Sequence, residues 1–273
     1  MVSELTPGLS GPDASVFSRH SLTRPLPFED VLALDQLAAA AWAAPETEEC
    51  SGWLLRHAAG VSRRANSAAP FPPSSGVTLD DLLARTEAFY RARDLPPRVQ
   101  ISPAACPEGL DALLAGRGYE RESGVSIMIA DAAELAGPSE NISVTISDAA
   151  PAGWWEAYIE AYSRDARGIV GAARERPVFA SVTGDGGAMQ AIGLGVLGGK
   201  WLAVFGMYTR PDCRRQGLGA GIIRALAAFA VDCGGVGLYL QVEDDNPVAH
   251  RLYEQLGFRR VYGYHYRTLW TAS

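Results

Sequence analysis

The sequence predicts an α/β (α+β) protein in which helices flank a mixed sheet. Residues 177–183 and 189–197 are strand-like segments joined by a glycine-rich turn, which is typical of a hairpin. A strand, a helix and another strand follow at 201–209, 217–232 and 236–242. With 48% hydrophobic and 20% charged residues over 273 positions, the composition is that of a globular protein.

The first half of the chain alternates short helices and strands. Residues 29–43 are rich in alanine, with apolar side chains at helical spacing, and Thr78 can cap a second helix. Three prolines within 69–75 predict a loop. In chain order we expect helix 29–43, strand 53–55, loop 69–75, a helix from 78 to 90, strand 98–101, helix 110–114 and strand 125–129.

A Gly137-Pro138 break marks the predicted boundary between two domains. At about 150 residues per domain, the length allows one large domain or two small ones. We expect an irregular arm over 1–27, a first domain over 28–134 and a second over 135–273. The second domain is predicted to contain strand 142–146, helix 153–163, strands 177–183, 189–197 and 201–209, helix 217–232, strand 236–242, helix 247–256 and strand 258–268.

Charge and cysteine content exclude several classes of protein. The 24 basic and 31 acidic residues give a net charge of −7, which argues against nucleic-acid binding and favours neutral or cationic small partners. No apolar run reaches the roughly 18 residues of a membrane span, so we expect a cytoplasmic protein without membrane partners. The four cysteines are dispersed, which predicts free thiols and no metal site.

A glycine loop follows the strand at 201–209. It reads Arg214-Arg215-Gln216-Gly217-Leu218-Gly219 and opens a helix, so backbone N–H groups and the helix dipole can bind an anion. Ile222 stands where a dinucleotide-binding loop needs its third glycine, which disfavours a dinucleotide ligand. Gly219-Ala220-Gly221 stands where the Walker loop of nucleoside triphosphate-binding proteins needs Gly-Lys-Ser/Thr. A tight turn without ligand remains the alternative.

A second segment starts a helix at Asn246-Pro247 and ends it at Gly257. Asn246 and Tyr253 are two helical turns apart and share a face, with the small Ala249 between them. That face can line a groove for a slender ligand. The alternative is that Asn246 only caps the helix and Tyr253 only packs in the core.

Together the two segments resemble the GNAT acetyltransferase superfamily over residues 142–268. The Arg/Gln-x-x-Gly-x-Gly/Ala loop is matched by Arg214, Gly217 and Gly219, and the Asn-x-x-Ala-x-x-Leu-Tyr-x-x-x-Gly-Phe helix by Asn246, Ala249, Leu252, Tyr253, Gly257 and Phe258. The resemblance implies a mostly antiparallel GNAT-type sheet and acetyl-CoA as co-substrate, with no metal. It implies that the acetyl-CoA-binding residues are Met207, Tyr208, Thr209, Arg214, Arg215, Gln216, Gly217, Leu218, Gly219, Ala220 and Asn246.

The implied reaction is direct attack of a primary amine, on a small molecule or peptide, on the thioester. The N–H of Met207 would polarise the carbonyl, and Tyr253 would protonate the departing thiolate because a phenol is protonated at neutral pH. The strand at 201–209 carries no carboxylate, so Glu243 is our first candidate base, ahead of Glu156 and Glu160. A longer acyl donor and a non-catalytic CoA sensor or interaction module remain alternatives; the oligomeric state stays open.

The first half echoes the second. Gln100 and Gln241 lie 141 residues apart, and Gly118 and Gly257 lie 139 apart, which suggests a tandem GNAT-like arrangement. Leu114 replaces the tyrosine in the first copy and no glycine loop precedes it. We therefore expect a degenerate first domain that helps to shape the acceptor pocket, with the polar segment 60–67 as a candidate wall.

Overall fold

The computed structural model describes residues 26–73, 76–137 and 142–270, so most of the predicted arm lies outside the described residues. The helices are α1 (Phe28–Ala41), α2 (Leu79–Arg91), α3 (Leu110–Gly116), α4 (Ala132–Leu135), α5 (Trp154–Tyr162), α6 (Arg167–Ala172), α7 (Leu218–Asp232) and α8 (Pro247–Gln255). The strands are β1 (Glu46–Cys50), β2 (Trp53–His57), β3 (Ala69–Pro70), β4 (Arg98–Ile101), β5 (Glu120–Arg121), β6 (Val125–Asp131), β7 (Thr145–Ser147), β8 (Arg176–Thr183), β9 (Met189–Gly198), β10 (Trp201–Thr209), β11 (Gly237–Glu243) and β12 (Arg259–Thr268).

A nine-stranded mixed sheet forms the centre of the fold. Its main path runs β4-β12-β6-β11-β10-β9-β8-β7, with β5 paired to β12, while β1, β2 and β3 form a separate antiparallel sheet. Within the large sheet, β10 and β11 run parallel and the other neighbours run antiparallel. The predicted fold class, a mixed and mostly antiparallel sheet flanked by helices, is confirmed.

Strand β6, from the first half of the chain, lies inside the sheet of the second half. It pairs with β11 from Val125↔Glu243 to Asp131↔Gly237, and on its other edge it pairs with β12. Its side chains at Ile127, Met128 and Ile129 are buried. The sheet thus crosses the predicted boundary at residue 135, and the division into two domains stays a prediction.

Several local predictions differ from the structure. β1 and α6 were not predicted, because four of the five residues of β1 are exposed and polar and α6 is a short, glycine-containing segment. Ala69–Pro70, predicted as loop, pairs with β2. The strand predicted at 142–146 is shorter and lies at β7, and the unpredicted helix α4 ends just before the predicted Gly137-Pro138 break. Pro138 lies outside the described residues.

Helix α7 packs closely on the sheet because two glycines of β9 leave room for it. A Cβ atom on Gly193 would stand 2.6 Å from Ile222 Cγ2, and one on Gly195 would stand 2.9 Å from Leu226 Cδ2. Ile222 and Leu226 are both fully buried in the core on this face of the sheet. This packing fixes the N-terminus of α7 beside the end of β10.

The described helices are all too short or too polar to cross a membrane. The four cysteines are free thiols, of which Cys50 and Cys213 are buried. No group of three or more metal-ligating side chains occurs among the described residues.

Candidate active site

The parallel strands β10 and β11 separate at their carboxyl ends. Their pairing runs from Trp201↔Gly237 to Val204↔Leu240 and then stops, although β10 continues to Thr209 and β11 to Glu243. The backbone of β10 beyond Val204 therefore has no strand beside it on this edge. A gap of this kind leaves backbone N–H and C=O groups available to a ligand.

A β-bulge bends β10 at this gap. The register to β9 shifts between Phe205 and Tyr208, and Gly206 adopts a positive φ of 57°, which is costly for residues with a side chain. The Tyr162 hydroxyl of α5 donates to the Met207 carbonyl at 2.9 Å. The bulge thus holds Met207, a predicted thioester-binding residue, at the mouth of the gap.

The N-terminus of α7 is an uncapped helix end open to solvent. Its N-cap, Gly217, has a φ of 79°, makes no side-chain cap, and no acidic residue lies in the first turn. Residues 214–217 are exposed, and Arg214 Nε donates to the Thr209 carbonyl at 3.2 Å, which ties the loop to β10. The unpaired N–H groups and the helix dipole favour an anion here. Leu218 buries its side chain, so only its backbone faces this site.

Asn246 caps α8, as the alternative reading predicted. Its Oδ1 accepts from Ala249 N at 3.1 Å, and Pro247 fills the first helical position. The Asn246 Nδ2 has no partner among the described residues. Because Asn246 also lines the central cavity, its amide can cap the helix and still donate to a ligand.

Tyr253 lies on one side of this cavity, two helical turns after Asn246 in α8. Its side chain is 8% exposed and its ring meets Phe258 with centroids 5.6 Å apart. Burial raises the pKa of Tyr253 to about 12. Tyr253 therefore packs in the core and also lines the cavity, and its role toward a ligand stays a prediction.

The cavity has a volume of about 1040 Å³ and joins the two halves of the chain. The second half supplies the β10 gap, the end of β11 and the start of α8, and the first half supplies Trp42 and residues 61–64. The segment 60–67 predicted as a candidate wall therefore does reach the cavity. Met207, Glu243, Asn246 and Tyr253 line it together.

Glu243 is the predicted base candidate that lines this cavity. Its side chain is 53% exposed and accepts a hydrogen bond from Arg63, which also donates to Glu122 at 3.2 Å. Glu160 instead accepts from the Tyr208 hydroxyl at 3.1 Å. Of the described residues around the cavity, neither Glu156 nor Glu160 is part of its lining.

Sequence reasoning missed several aromatic and polar residues of the cavity lining. These are Tyr158, Tyr162, Gln241, Tyr264 and Tyr266. Tyr264 donates to Gln241 at 2.7 Å and contacts the Tyr266 hydroxyl at 3.3 Å. The alternation Tyr262, Tyr264, Tyr266 within β12 was a readable signal, because residues two apart in a strand share a face.

Comparison with known proteins identifies the family of the chain. The family described as "Probable histone acetyltransferase Rv0428c C-terminal" matches residues 29–267. The chain is 29% identical over 249 residues to "Uncharacterized N-acetyltransferase YobR" of Bacillus subtilis, covering 88% of this chain and 98% of that protein. It is 28% identical over 231 residues to "Probable histone acetyltransferase Rv0428c" of Mycobacterium tuberculosis, covering 84% and 70%.

Two solved structures show the same fold. A GCN5-related N-acetyltransferase from Kribbella flavida has a TM-score of 0.66 at 19% identity, covering 89% of this chain and 96% of that one. A tandem GNAT protein from the clavulanic acid biosynthesis pathway has a TM-score of 0.63 at 14% identity, covering 95% and 94%. The fold and the family match thus define a GNAT acyltransferase. The chain belongs to the family of the Rv0428c C-terminal acetyltransferase domain.

Proposed function

We propose that this chain is an acetyl-CoA-dependent N-acetyltransferase that acetylates a primary amine of a small molecule or peptide. One spatial arrangement carries the proposal: the β10 gap and Tyr253 line one cavity, and the uncapped end of α7 lies beside the end of β10, to which Arg214 ties it by donating to the Thr209 carbonyl. An amine can attack a thioester on a phosphorylated carrier when the protein supplies three features. These are an anion site for the phosphates, an open strand edge for the carrier arm and a proton donor for the departing thiolate.

The residues present fit acetyl-CoA. The first turn of α7 has N–H groups without acceptors, and Arg214 and Arg215 lie exposed beside it, so this end suits the pyrophosphate. The β10 edge at Met207–Thr209 and the Nδ2 of Asn246 can bind the amides of the pantetheine arm. Bound there, acetyl-CoA supplies the activated acetyl group.

The proposed chemistry assigns one role to each residue. Met207 N–H would donate to the thioester carbonyl at the bulge, which stabilises developing negative charge on that oxygen. Tyr253 would hold its proton until the thiolate departs and then donate it. Glu243 would accept the proton of the amine through water, although its bond to Arg63 competes for the carboxylate.

The first half would act as a wall of the acceptor pocket rather than as a second acetyl-CoA site. Leu114 is fully buried in a separate core with Leu110 and Tyr119, so it presents no proton donor. We further propose that the protein works in the cytoplasm, an assignment supported by four free thiols.

Substitution of Gly219 tests acetyl-CoA binding. A Cβ atom there meets Leu252 at 3.6 Å and Thr209 at 3.8 Å, which are ordinary contacts, so side chains fit. Gly219→Asp places a carboxylate in the first turn of α7, where it favours the helix but repels pyrophosphate. Calorimetry should show at least about a tenfold weaker affinity for acetyl-CoA, with thermal stability kept.

Gly219→Asn is the matched control, because it has the same shape without the charge. It should weaken acetyl-CoA binding far less than Gly219→Asp does. Equal affinities of the two variants would place the pyrophosphate elsewhere. A thiol-release assay over a panel of amines then tests transfer, and binding without release on any amine would instead support a CoA sensor.

A further inference from the structure

Arg64 lies deep in the acceptor side of the cavity. It belongs to the turn between β2 and β3, and its guanidinium carbon is 5.5 Å from the centroid of the Phe205 ring. Phe205 directly precedes Gly206 and the bulge at which the acetyl group is proposed to lie. A first-half cation thus stands within one small molecule's length of the proposed reaction centre.

The charge of Arg64 is not balanced by a carboxylate. Its Nε atom is buried without a hydrogen-bond partner, and the described residues form no salt bridge to it. Neighbouring Arg63 differs, because it is paired to both Glu122 and Glu243. The titratable neighbours of Arg64 include the phenols of Tyr239, Tyr264 and Tyr266 rather than carboxylates, and its guanidinium hydrogen-bonds to Tyr264.

A buried guanidinium without an anion is costly, so its place in a cavity calls for a ligand that completes it. Guanidinium forms its strongest paired hydrogen bonds with planar carboxylates. The phenols of Tyr158, Tyr264 and Tyr266 line the cavity as well, and its other charged lining residues are Arg63, Arg164, Glu243 and Asp245. Arg63 is already paired with Glu122 and Glu243, so among the described residues Arg64 is the buried lining cation without a carboxylate, and it suits an organic acid.

We propose that Arg64 binds a carboxylate of the acceptor, so that the substrate is a small molecule bearing both a primary amine and a carboxylate. The proposal narrows the acceptor of the proposed acetyltransferase reaction and rests on that function. The net charge of −7 alone favoured a cationic amine as the acceptor, whereas Arg64 favours a zwitterion. In this orientation the amine of the substrate faces the bulge and its carboxylate faces Arg64.

Ligand binding without turnover tests this assignment. The full chain is heated with N-acetylated α-, β- and γ-amino acids, and in parallel with their neutral N-methylamides. We expect carboxylates to raise the melting temperature and the amides not to. Because no transfer is needed, the result is separate from acetyl-CoA binding by calorimetry, which decides the proposed function. Equal stabilisation by acids and amides, or none across the panel, would overturn the role of Arg64.

Two variants sharpen the test. Arg64→Met should abolish the carboxylate-dependent shift, and should raise KM for amino acids about 10- to 100-fold while leaving their decarboxylated amines unchanged. Arg64→Lys keeps the charge and should retain part of the shift. Arg117→Met is the control, since Arg117 is exposed at the end of α3 and pairs with Asp80. Retention of the shift in Arg64→Met would refute the proposal.

The melting temperatures of the Arg64 variants distinguish a role in substrate binding from a purely structural role. Removing an uncompensated buried cation should leave the melting temperature of Arg64→Met equal to or above that of the unchanged protein. A large loss of stability in both Arg64→Met and Arg64→Lys would show that Arg64 serves the fold, and would overturn its assignment to the substrate.

Discussion

Replacing Tyr253 by phenylalanine should slow transfer without weakening acetyl-CoA binding. The hydroxyl has no hydrogen-bond partner among the described residues, while the ring packs on Phe258. Deleting it should change the free energy of unfolding by less than about 1 kcal/mol. A general acid contributes about 100- to 10,000-fold, so kcat should fall by that factor.

The raised pKa of Tyr253 gives the same test a pH dependence. With a pKa of about 12 caused by burial, only about one phenol in 10,000 is ionised at pH 8. The rate should therefore show no decline from loss of this proton between pH 8 and pH 10. Stopped-flow or steady-state thiol release over that range measures it, beside acetyl-CoA titration by calorimetry.

Tyr162→Phe is the matched control. It removes a hydroxyl that donates to the Met207 carbonyl, so it deletes one positioning hydrogen bond worth about 1 kcal/mol and should lower the rate only several-fold. The reasoning would be refuted if Tyr253→Phe kept more than a third of kcat, or lost kcat and acetyl-CoA affinity in equal proportion.

Three further predictions concern stability. A fragment of residues 135–273 lacks β6 and leaves the edges of β11 and β12 unpaired, so circular dichroism should find it unfolded; a folded fragment that binds acetyl-CoA would contradict this. Burial raises the pKa of Asp35 to about 6 from an ordinary 3.8, so the free energy of unfolding should fall by about 2 kcal/mol as pH rises from about 4 to 6, and Asp35→Asn should remove that slope in urea titrations. Gly206→Ala should cost about 1–2 kcal/mol because of its positive φ and a Cβ 3.1 Å from Tyr158, whereas Gly171→Ala in α6, with open space around it, should stabilise; equal effects would refute the strain at the bulge.

The local features of the site could be read from the sequence. The glycine loop and the Asn246–Tyr253 helix were placed correctly along the chain, because helix periodicity and capping depend on neighbours only a few residues away. Asn246 does cap the helix and Tyr253 does pack in the core, and both also line the cavity, so local spacing could not choose between a structural position and a place in the cavity wall.

Pairing between distant segments could not be read in this way. β6 is a mostly apolar, buried segment that fits any buried strand, and nothing in it specifies β11 and β12 as neighbours. β1 is exposed and polar, so it lacks the alternation on which strand prediction depends.

By itself, the sequence determined the family and located the glycine loop and the helix that starts at Asn246, since both depend on short motifs whose geometry is local. Only the tertiary structure brought residues of the first half to the cavity. Arg63 meets Glu243 across 180 positions of sequence, and Arg64 reaches the ring of Phe205, because β6 joins the two halves in one sheet. Contacts of that range follow from how buried faces pack together, and packing is a property of the whole chain.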